Sequence, residues 1–191
     1  VAMPNVVLVY LTGKPARGVG PQDVALALIK AVFAKGLVKN KILEFIGPGV
    51  DELSVDFRGG IDVMTTETTC LSSVWRTDKK VRRYLQIHGR GDDYRELEPY
   101  NGALYDGAIT IELDKIRPMI ALPFHPSNVF TIDEFTANAG DILNELGLTS
   151  DDIRSKITSE GVRAEQGIIA GCSGGTFENL TTVAAMLAGT G

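Results

Sequence analysis

The chain has 191 residues, of which 44% are hydrophobic and 23% charged, and its formal net charge is −5. This is the composition of a globular protein, and it excludes a disordered or fibrous chain. No apolar run reaches the roughly 18 to 20 residues that a membrane-spanning helix needs. The acidic balance argues against a general polyanion binder. We therefore predict a chain that binds neither nucleic acid nor a membrane.

Two features predict a cytoplasmic location. The two cysteines, Cys70 and Cys172, are too few for a disulfide scaffold. Residues 1–4 show neither the basic nor the apolar segment of a signal peptide. The chain begins with valine instead of methionine, which suggests a piece of a longer protein.

The N-terminal part predicts a βαβ unit. Residues 5–11 form a continuous apolar, β-branched run that is typical of a strand covered on both faces. Pro21 suits the first position of a helix, and the apolar stripe that starts at Val24 predicts an amphipathic helix ending near Gly36. A second strand over 42–46 completes the unit, which predicts a parallel sheet with a right-handed crossover.

The middle of the chain predicts two helical segments and a strand. A helical stretch is expected over about 58–74, although its segment 65–69 is poor in helix formers. A charged helix follows over 78–87. Apolar and polar residues alternate over 108–113, which predicts a half-exposed strand.

Residues 116–128 predict a domain boundary. They carry three prolines and should form an extended connection. We place the boundary at residue 123, between an α/β domain of residues 1–123 and the beginning of a second α/β domain in residues 124–191.

Beyond this boundary the pattern predicts three helices and one short strand. A capping box marks the first helix, and a glycine-rich loop separates the strand from the last helix. The predicted elements are a helix over 131–146, a helix that begins near Asp151, a strand over 167–170 and a helix over 177–187.

The glycine-rich segment 12–20 raises the question of nucleotide binding. A P-loop needs Ser or Thr after its Gly-Lys pair, whereas Pro15 follows Lys14 here and removes a backbone donor. A dinucleotide fingerprint that begins at Gly18 would place the Asp23 carboxylate at the third glycine position. A strand-to-helix turn is therefore the default interpretation, with nucleotide binding as the alternative.

Cys172 stands where the last predicted strand leads into a helix. Ligand sites of open α/β sheets lie at the carboxyl ends of strands, and the N-terminus of a helix favours a thiolate. Such a thiolate can be a nucleophile or a metal ligand, and the alternative is a small buried cysteine. A nucleophile would need a positioned histidine. His88 and His125 are not evidently placed for this and are expected at the surface or at a cap.

Glu67 lies among threonines in a stretch with few other charges. A carboxylate held among hydroxyl groups can act as a general acid or base, or it can orient groups near a metal. The alternative is an ordinary solvated glutamate.

Taken in order, several segments resemble the aconitase family of iron–sulfur hydro-lyases. The segment EFIGPGVD at 44–51 is specific, because several residue types agree with the family pattern at fixed spacing. The resemblance covers nearly the whole chain and implies a three-layer α/β/α fold with a mostly parallel sheet. The other segments that carry it are VVLVYLTGK at 6–14, GPQDV at 20–24, MTTE at 64–67, GCS at 171–173 and FEN at 177–179.

This resemblance implies a fragment of an enzyme that dehydrates and rehydrates a small di- or tricarboxylic hydroxy-acid. Family members bind a [4Fe–4S] cluster through three cysteines, and the open iron acts as a Lewis acid on the substrate. Carried over by position, Cys172 would be the first cluster ligand. Glu67 would be the catalytic glutamate beside the open iron. Cys70 aligns with a helix position that is not a ligand.

The family's other two thiolates, its serine base and its substrate-binding arginines have no counterpart in this chain. The resemblance therefore implies that the isolated piece binds no cluster and is inactive. Its partners would be the remaining domains of the parent chain and a small carboxylic acid substrate.

Two positions depart from the family pattern. Val63 stands where an asparagine is common, and Gly174 replaces the asparagine that usually follows the cysteine and its threonine. These departures argue against citrate as the substrate. They also leave an alternative function, a scaffold that has lost catalysis and serves as a binding or regulatory module.

Overall fold

The structure, a computed structural model, describes residues 3–159 and 161–189. Its strands are β1 (Val6–Thr12), β2 (Ile42–Ile46), β3 (Ser72–Trp75), β4 (Gly107–Glu112), β5 (Met119–Ala121), β6 (Val129–Thr131), β7 (Ile157–Thr158) and β8 (Gly161–Val162). Its α-helices are α1 (Pro21–Val32), α2 (Val55–Asp62), α3 (Lys79–Ile87), α4 (Ile132–Glu145), α5 (Asp151–Ser155), α6 (Gly171–Gly174) and α7 (Phe177–Leu187). Within these ranges no helix is both long enough and apolar enough to cross a bilayer.

Four parallel strands form the main sheet, in the order β3–β2–β1–β4. In the register of β1 with its two neighbours, Val9 lies opposite Phe45 of β2 and Ile109 of β4. Helix α1 connects β1 to β2, as the βαβ pattern predicted. The sheet is flanked by helices, so the predicted α/β class, with a mostly parallel sheet in a three-layer α/β/α arrangement, is confirmed.

The main core lies between one face of this sheet and α1. Val9, Leu28 and Phe45 are at most 1% exposed and belong to one cluster. The opposite face of the sheet is less covered, since Tyr10 and Val74 on that side are 38% and 41% exposed. The apolar stripe of α1 thus packs on the fully buried face.

The predicted continuous helix over 58–74 is wrong. Helix α2 ends at Asp62, a 3₁₀ turn follows over Thr65–Thr68, and β3 begins only a few residues later. Thr69, with φ of 62°, adopts the left-handed conformation that ends the turn. The run of β-branched threonines disfavours a continuing helix, and pairing with β2 satisfies the backbone of β3 instead.

The predicted strand over 167–170 is also wrong, since this segment is irregular in the structure. Ile168 and Ile169 are 75% and 47% exposed, and in the part of the chain that is described no strand pairs with them. A short apolar run forms a strand only where a neighbouring strand can satisfy its backbone groups.

An antiparallel hairpin spans the predicted domain boundary. Strands β5 and β6 pair with Met119 opposite Thr131, and Val129 packs against Leu26 of α1. Residue 123 lies in the loop between the two strands, so the hairpin joins residues on both sides of it. The division into domains 1–123 and 124–191 stays a prediction.

A buried ion pair links α2 to the start of α3. Arg58 is 3% exposed, and its Nη2 donates to the carbonyl oxygens of Val50 and Leu53 and to the Asp78 carboxylate. Asp78 also caps α3 by accepting backbone N–H bonds from its first turn. Burial raises the pKa of Asp78, but the Arg58 hydrogen bond and the backbone donors outweigh burial and hold it below the ordinary value of 3.8.

Replacing Arg58 with alanine should lower the free energy of unfolding by about 3 kcal/mol, because the half-buried carboxylate of Asp78 then loses its charged partner and keeps only the backbone donors of its cap. Urea denaturation of the chain at neutral pH measures this change. Arg90→Ala is the matched control, since its pair with Asp93 is exposed and should contribute at most about 1 kcal/mol. Equal losses for the two variants would contradict a stabilising role for the buried pair.

The difference between the wild type and Arg58→Ala should depend on pH. The folded pKa of Asp78 lies below its unfolded value of 3.8. The contribution of the pair is therefore complete above about pH 5 and is lost as the pH falls through the folded pKa. Denaturation curves recorded down to about pH 3 should show the difference shrinking below pH 4. A difference that stays constant over this range would argue against the ion pair as its source.

Candidate functional site

The start of α1 is fastened to β5 by one carboxylate. Asp23 Oδ2 accepts the Gly20 N–H at 2.7 Å, and its Oδ1 accepts the Met119 N–H at 2.6 Å. Burial raises the pKa of Asp23 above its ordinary value of 3.8, although both backbone donors lower it. The position of the β5–β6 hairpin on α1 therefore depends on this side chain.

The same geometry favours the strand-to-helix turn over nucleotide binding for segment 12–20. The N–H of Gly20, which a phosphate would need, already donates to Asp23. A carboxylate at this helix start would also repel a phosphate.

Cys172 is exposed and lies in the one-turn helix α6, not at the end of a strand. The carbonyl oxygen of its neighbour Ser173 accepts hydrogen bonds from Gln22 Nε2 of α1 at 2.7 Å and from Asn179 Nδ2 of α7 at 2.9 Å. These bonds hold the turn that carries the thiol against the first turn of α1. The alternative of a small buried cysteine is therefore wrong.

Helix α2 packs closely on the start of α1 and also contacts α6. A Cβ atom on Gly60 would lie 2.7 Å from Pro21 Cβ and 3.7 Å from the Ser173 carbonyl oxygen. The absence of a side chain at Gly60 thus lets α1, α2 and α6 meet. A cavity of about 430 Å³ lies beside this junction, with Gln22, Ile169, Ser173, Asn179 and Met186 among its lining residues.

Glu67 lies in the 3₁₀ turn after α2, with its side chain 46% exposed. The hydroxyl groups of Thr65, Thr66 and Thr68 donate to backbone carbonyl oxygens at 2.6 to 3.1 Å, and not to Glu67. The threonines therefore build the turn, and the expected hydroxyl environment of the carboxylate is wrong. They leave Glu67 pointing outward.

His125 is the group that lies beside Glu67, and sequence reasoning missed it. Its Nε2 is 4.0 Å from Glu67 Oε2, and its ring stacks on Phe33 with centroids 4.2 Å apart. The contact arises because the hairpin loop docks on the end of α1, so no local signal at position 125 indicates it. His88, in contrast, ends α3 as a capping residue, as expected.

Glu67 and Cys172 lie near opposite ends of helix α1. Cys172 adjoins the first turn of α1 through Ser173 and Gln22, whereas Glu67 adjoins Phe33, just after its last turn, through His125. These two positions are roughly 16 Å apart along the helix axis. The structure brings Glu67 together with His125 but does not join Glu67 to Cys172.

An iron–sulfur cluster is held by several cysteine thiolates. Across residues 3–159 and 161–189, no group of three His, Cys, Asp or Glu side chains could hold a metal ion. Cys70 follows the 3₁₀ turn instead of lying in a helix, packs against the main core and donates to the Thr65 carbonyl oxygen at 3.4 Å. These residues supply one exposed thiol, that of Cys172, and do not fit a cluster by themselves.

The thiol of Cys172 should react with Ellman's reagent at least about tenfold faster than that of Cys70, since only the thiol of Cys172 is exposed. Absorbance after mixing measures both phases. Cys70→Ser should keep the fast phase and Cys172→Ser should remove it. Comparable rates for the two thiols would contradict this arrangement.

A family model described as the aconitase family (aconitate hydratase) matches residues 1–191. The chain is 30% identical to the 3-isopropylmalate dehydratase large subunit of Clostridium botulinum (strain Eklund 17B / Type B), over 84% of the chain and 40% of that relative. It is 28% identical to the 2,3-dimethylmalate dehydratase large subunit of Eubacterium barkeri, over 94% of the chain and 37% of the relative.

A third relative, named "Probable aconitate hydratase, mitochondrial", comes from Caenorhabditis elegans. It is 28% identical over 96% of the chain and 22% of its own length. The chain therefore spans two fifths or less of the length of each of these relatives.

Proposed function

Because the chain belongs to the aconitase family, we propose that it is part of a hydro-lyase, which removes water from a small hydroxy-acid and adds it back to the alkene. The observation that carries this proposal is the family match over residues 1–191. It is supported by relatives that are themselves named dehydratases or a hydratase. The activity belongs to the whole enzyme, in which further domains are the partners of this chain.

The proposed substrate is a di- or tricarboxylic hydroxy-acid. Relatives named for 3-isopropylmalate, 2,3-dimethylmalate and aconitate support this class. The side chain of Val63 offers no hydrogen bond at a position where the family pattern has an asparagine, and this argues against citrate. A dicarboxylate with an alkyl substituent is the better candidate.

Glu67 is the proposed catalytic residue of this chain. Dehydration requires that the departing hydroxyl group leave as water, so a proton has to reach it. The half-exposed carboxyl group of Glu67 is open to solvent on a turn that buried threonines hold in place. This arrangement suits a group that exchanges a proton with water.

Cys172 is proposed as one of three thiolate ligands of a [4Fe–4S] cluster in the whole enzyme. Its exposure and its fixed position beside α1 support this role. Because it is the one exposed cysteine among the described residues, we propose that this chain alone neither holds a cluster nor turns over substrate.

In the whole enzyme, Glu67→Gln and Cys172→Ser should each lower kcat at least about 100-fold, since a missing general acid alone has an effect of this size. The ultraviolet absorbance of the alkene, followed with a panel of hydroxy-dicarboxylates, measures the rate. Visible absorbance of the cluster should be lost in Cys172→Ser and kept in Glu67→Gln.

The matched controls are Cys70→Ser and Glu145→Gln, a core-packed thiol and an exposed glutamate at the end of α4. Both should keep rates near wild type. Wild-type rates in either site variant would contradict the role of that residue. A cluster-loaded enzyme that acts on no member of the panel would favour the alternative, a scaffold that has lost catalysis.

A further inference from the structure

The Nδ1 atom of His125 accepts a hydrogen bond from the backbone of its own turn. The Ser127 N–H points at it with an N–N distance of 3.1 Å, and Ser127 Oγ lies 3.0 Å away. A backbone N–H can only donate, so Nδ1 accepts and carries no hydrogen. In a neutral imidazole the other ring nitrogen then carries it. The Nε2 atom of His125 is therefore a donor.

This donor faces Glu67. The Nε2–Oε2 distance of 4.0 Å exceeds a direct N–H···O hydrogen bond of about 2.9 Å. A small rotation of the half-exposed Glu67 side chain, or one bridging water, closes the gap. Among the described residues, no other charged side chain forms an ion pair with either partner.

The ring is held by the fold and does not sit on a free loop. It stacks on Phe33 with an interplanar angle of 30°. The loop is closed by hydrogen bonds of Asn128, whose N–H donates to the His125 carbonyl oxygen at 2.9 Å and whose Nδ2 donates to that of Pro123 at 3.0 Å. A donor fixed in this way can orient the group opposite it.

We propose that His125 is a positioning residue for Glu67, and this inference rests on the proposed function of Glu67. Its Nε2–H engages Oε2 of the carboxyl group. The other oxygen, Oε1, is then left to exchange a proton with the water that leaves or enters. The histidine acts through Glu67 and does not itself transfer the proton.

The chain contains an internal control for this geometry in its one other histidine, His88. Its Nδ1 lies 2.8 Å from the carbonyl oxygen of Tyr84. A carbonyl oxygen can only accept, so Nδ1 of His88 carries the hydrogen. The two histidines are therefore expected to be opposite tautomers.

Long-range proton–nitrogen NMR spectra of the ¹⁵N-labelled chain test this at about pH 8.5, where imidazole side chains are ordinarily neutral. Assignment uses His88→Gln and His125→Gln. We expect hydrogen on Nε2 of His125 and on Nδ1 of His88. Glu67→Gln should shift the Nε2 signal of His125 alone, and the control Glu145→Gln should shift neither ring. Hydrogen on Nδ1 of His125, or no shift in Glu67→Gln, would overturn the proposal.

Activity of the whole enzyme separates this inference from the proposed function. His125→Ala should lower kcat about tenfold with little change in KM, because the acid is misplaced and not removed. His125→Gln should restore most of the rate, since its amide nitrogen lies near the position of Nε2. If Glu67→Gln retains full activity, the proposed role of Glu67 fails. If Glu67→Gln is inactive while His125→Ala matches the wild type, only the inference about His125 fails.

Discussion

The candidate site depends on two hydrogen bonds that the Asp23 carboxylate accepts. Its two oxygens accept the N–H groups of Gly20 and Met119, which joins the start of α1 to β5. The hairpin that β5 begins carries His125 to Phe33, just after α1. Both donors are half-buried, and leaving them without this acceptor should destabilise the fold by at most about 3 kcal/mol each. Together with the packing of Val129 on Leu26, this half-buried side chain holds the segment that approaches Glu67.

Helix α1 supports both proposed functional groups. Its first turn holds the turn of Cys172 through the bond between Gln22 and Ser173, and Phe33 after its last turn supports His125 beside Glu67. The thiol and the carboxyl group are separated along this helix and have no direct contact. Of the two, only Cys172 is proposed as a cluster ligand, and for this reason the two substitutions proposed for the enzyme have different spectroscopic consequences.

Local patterns were sufficient for most of the fold, and long-range contacts explain the failures. Pro21 and the apolar stripe of α1 indicated that helix, because the spacing of its apolar residues and its first position can be recognised from residues close together in sequence. The strand over 72–75 was missed because its pairing with β2 is a tertiary contact. The resemblance to a family pointed to Glu67 and Cys172. The place of His125 depends on how the hairpin docks, which no residue near it in sequence reveals.

Amide hydrogen exchange at Met119 tests most directly whether Asp23 fixes this site. In the wild-type chain the Met119 N–H should be protected, and in Asp23→Ala it should exchange at least about tenfold faster, with a changed ring signal of His125. Amides of α3, whose cap is Asp78, should stay protected and show that the fold persists. Unchanged exchange at Met119 together with an unchanged His125 signal would contradict the account.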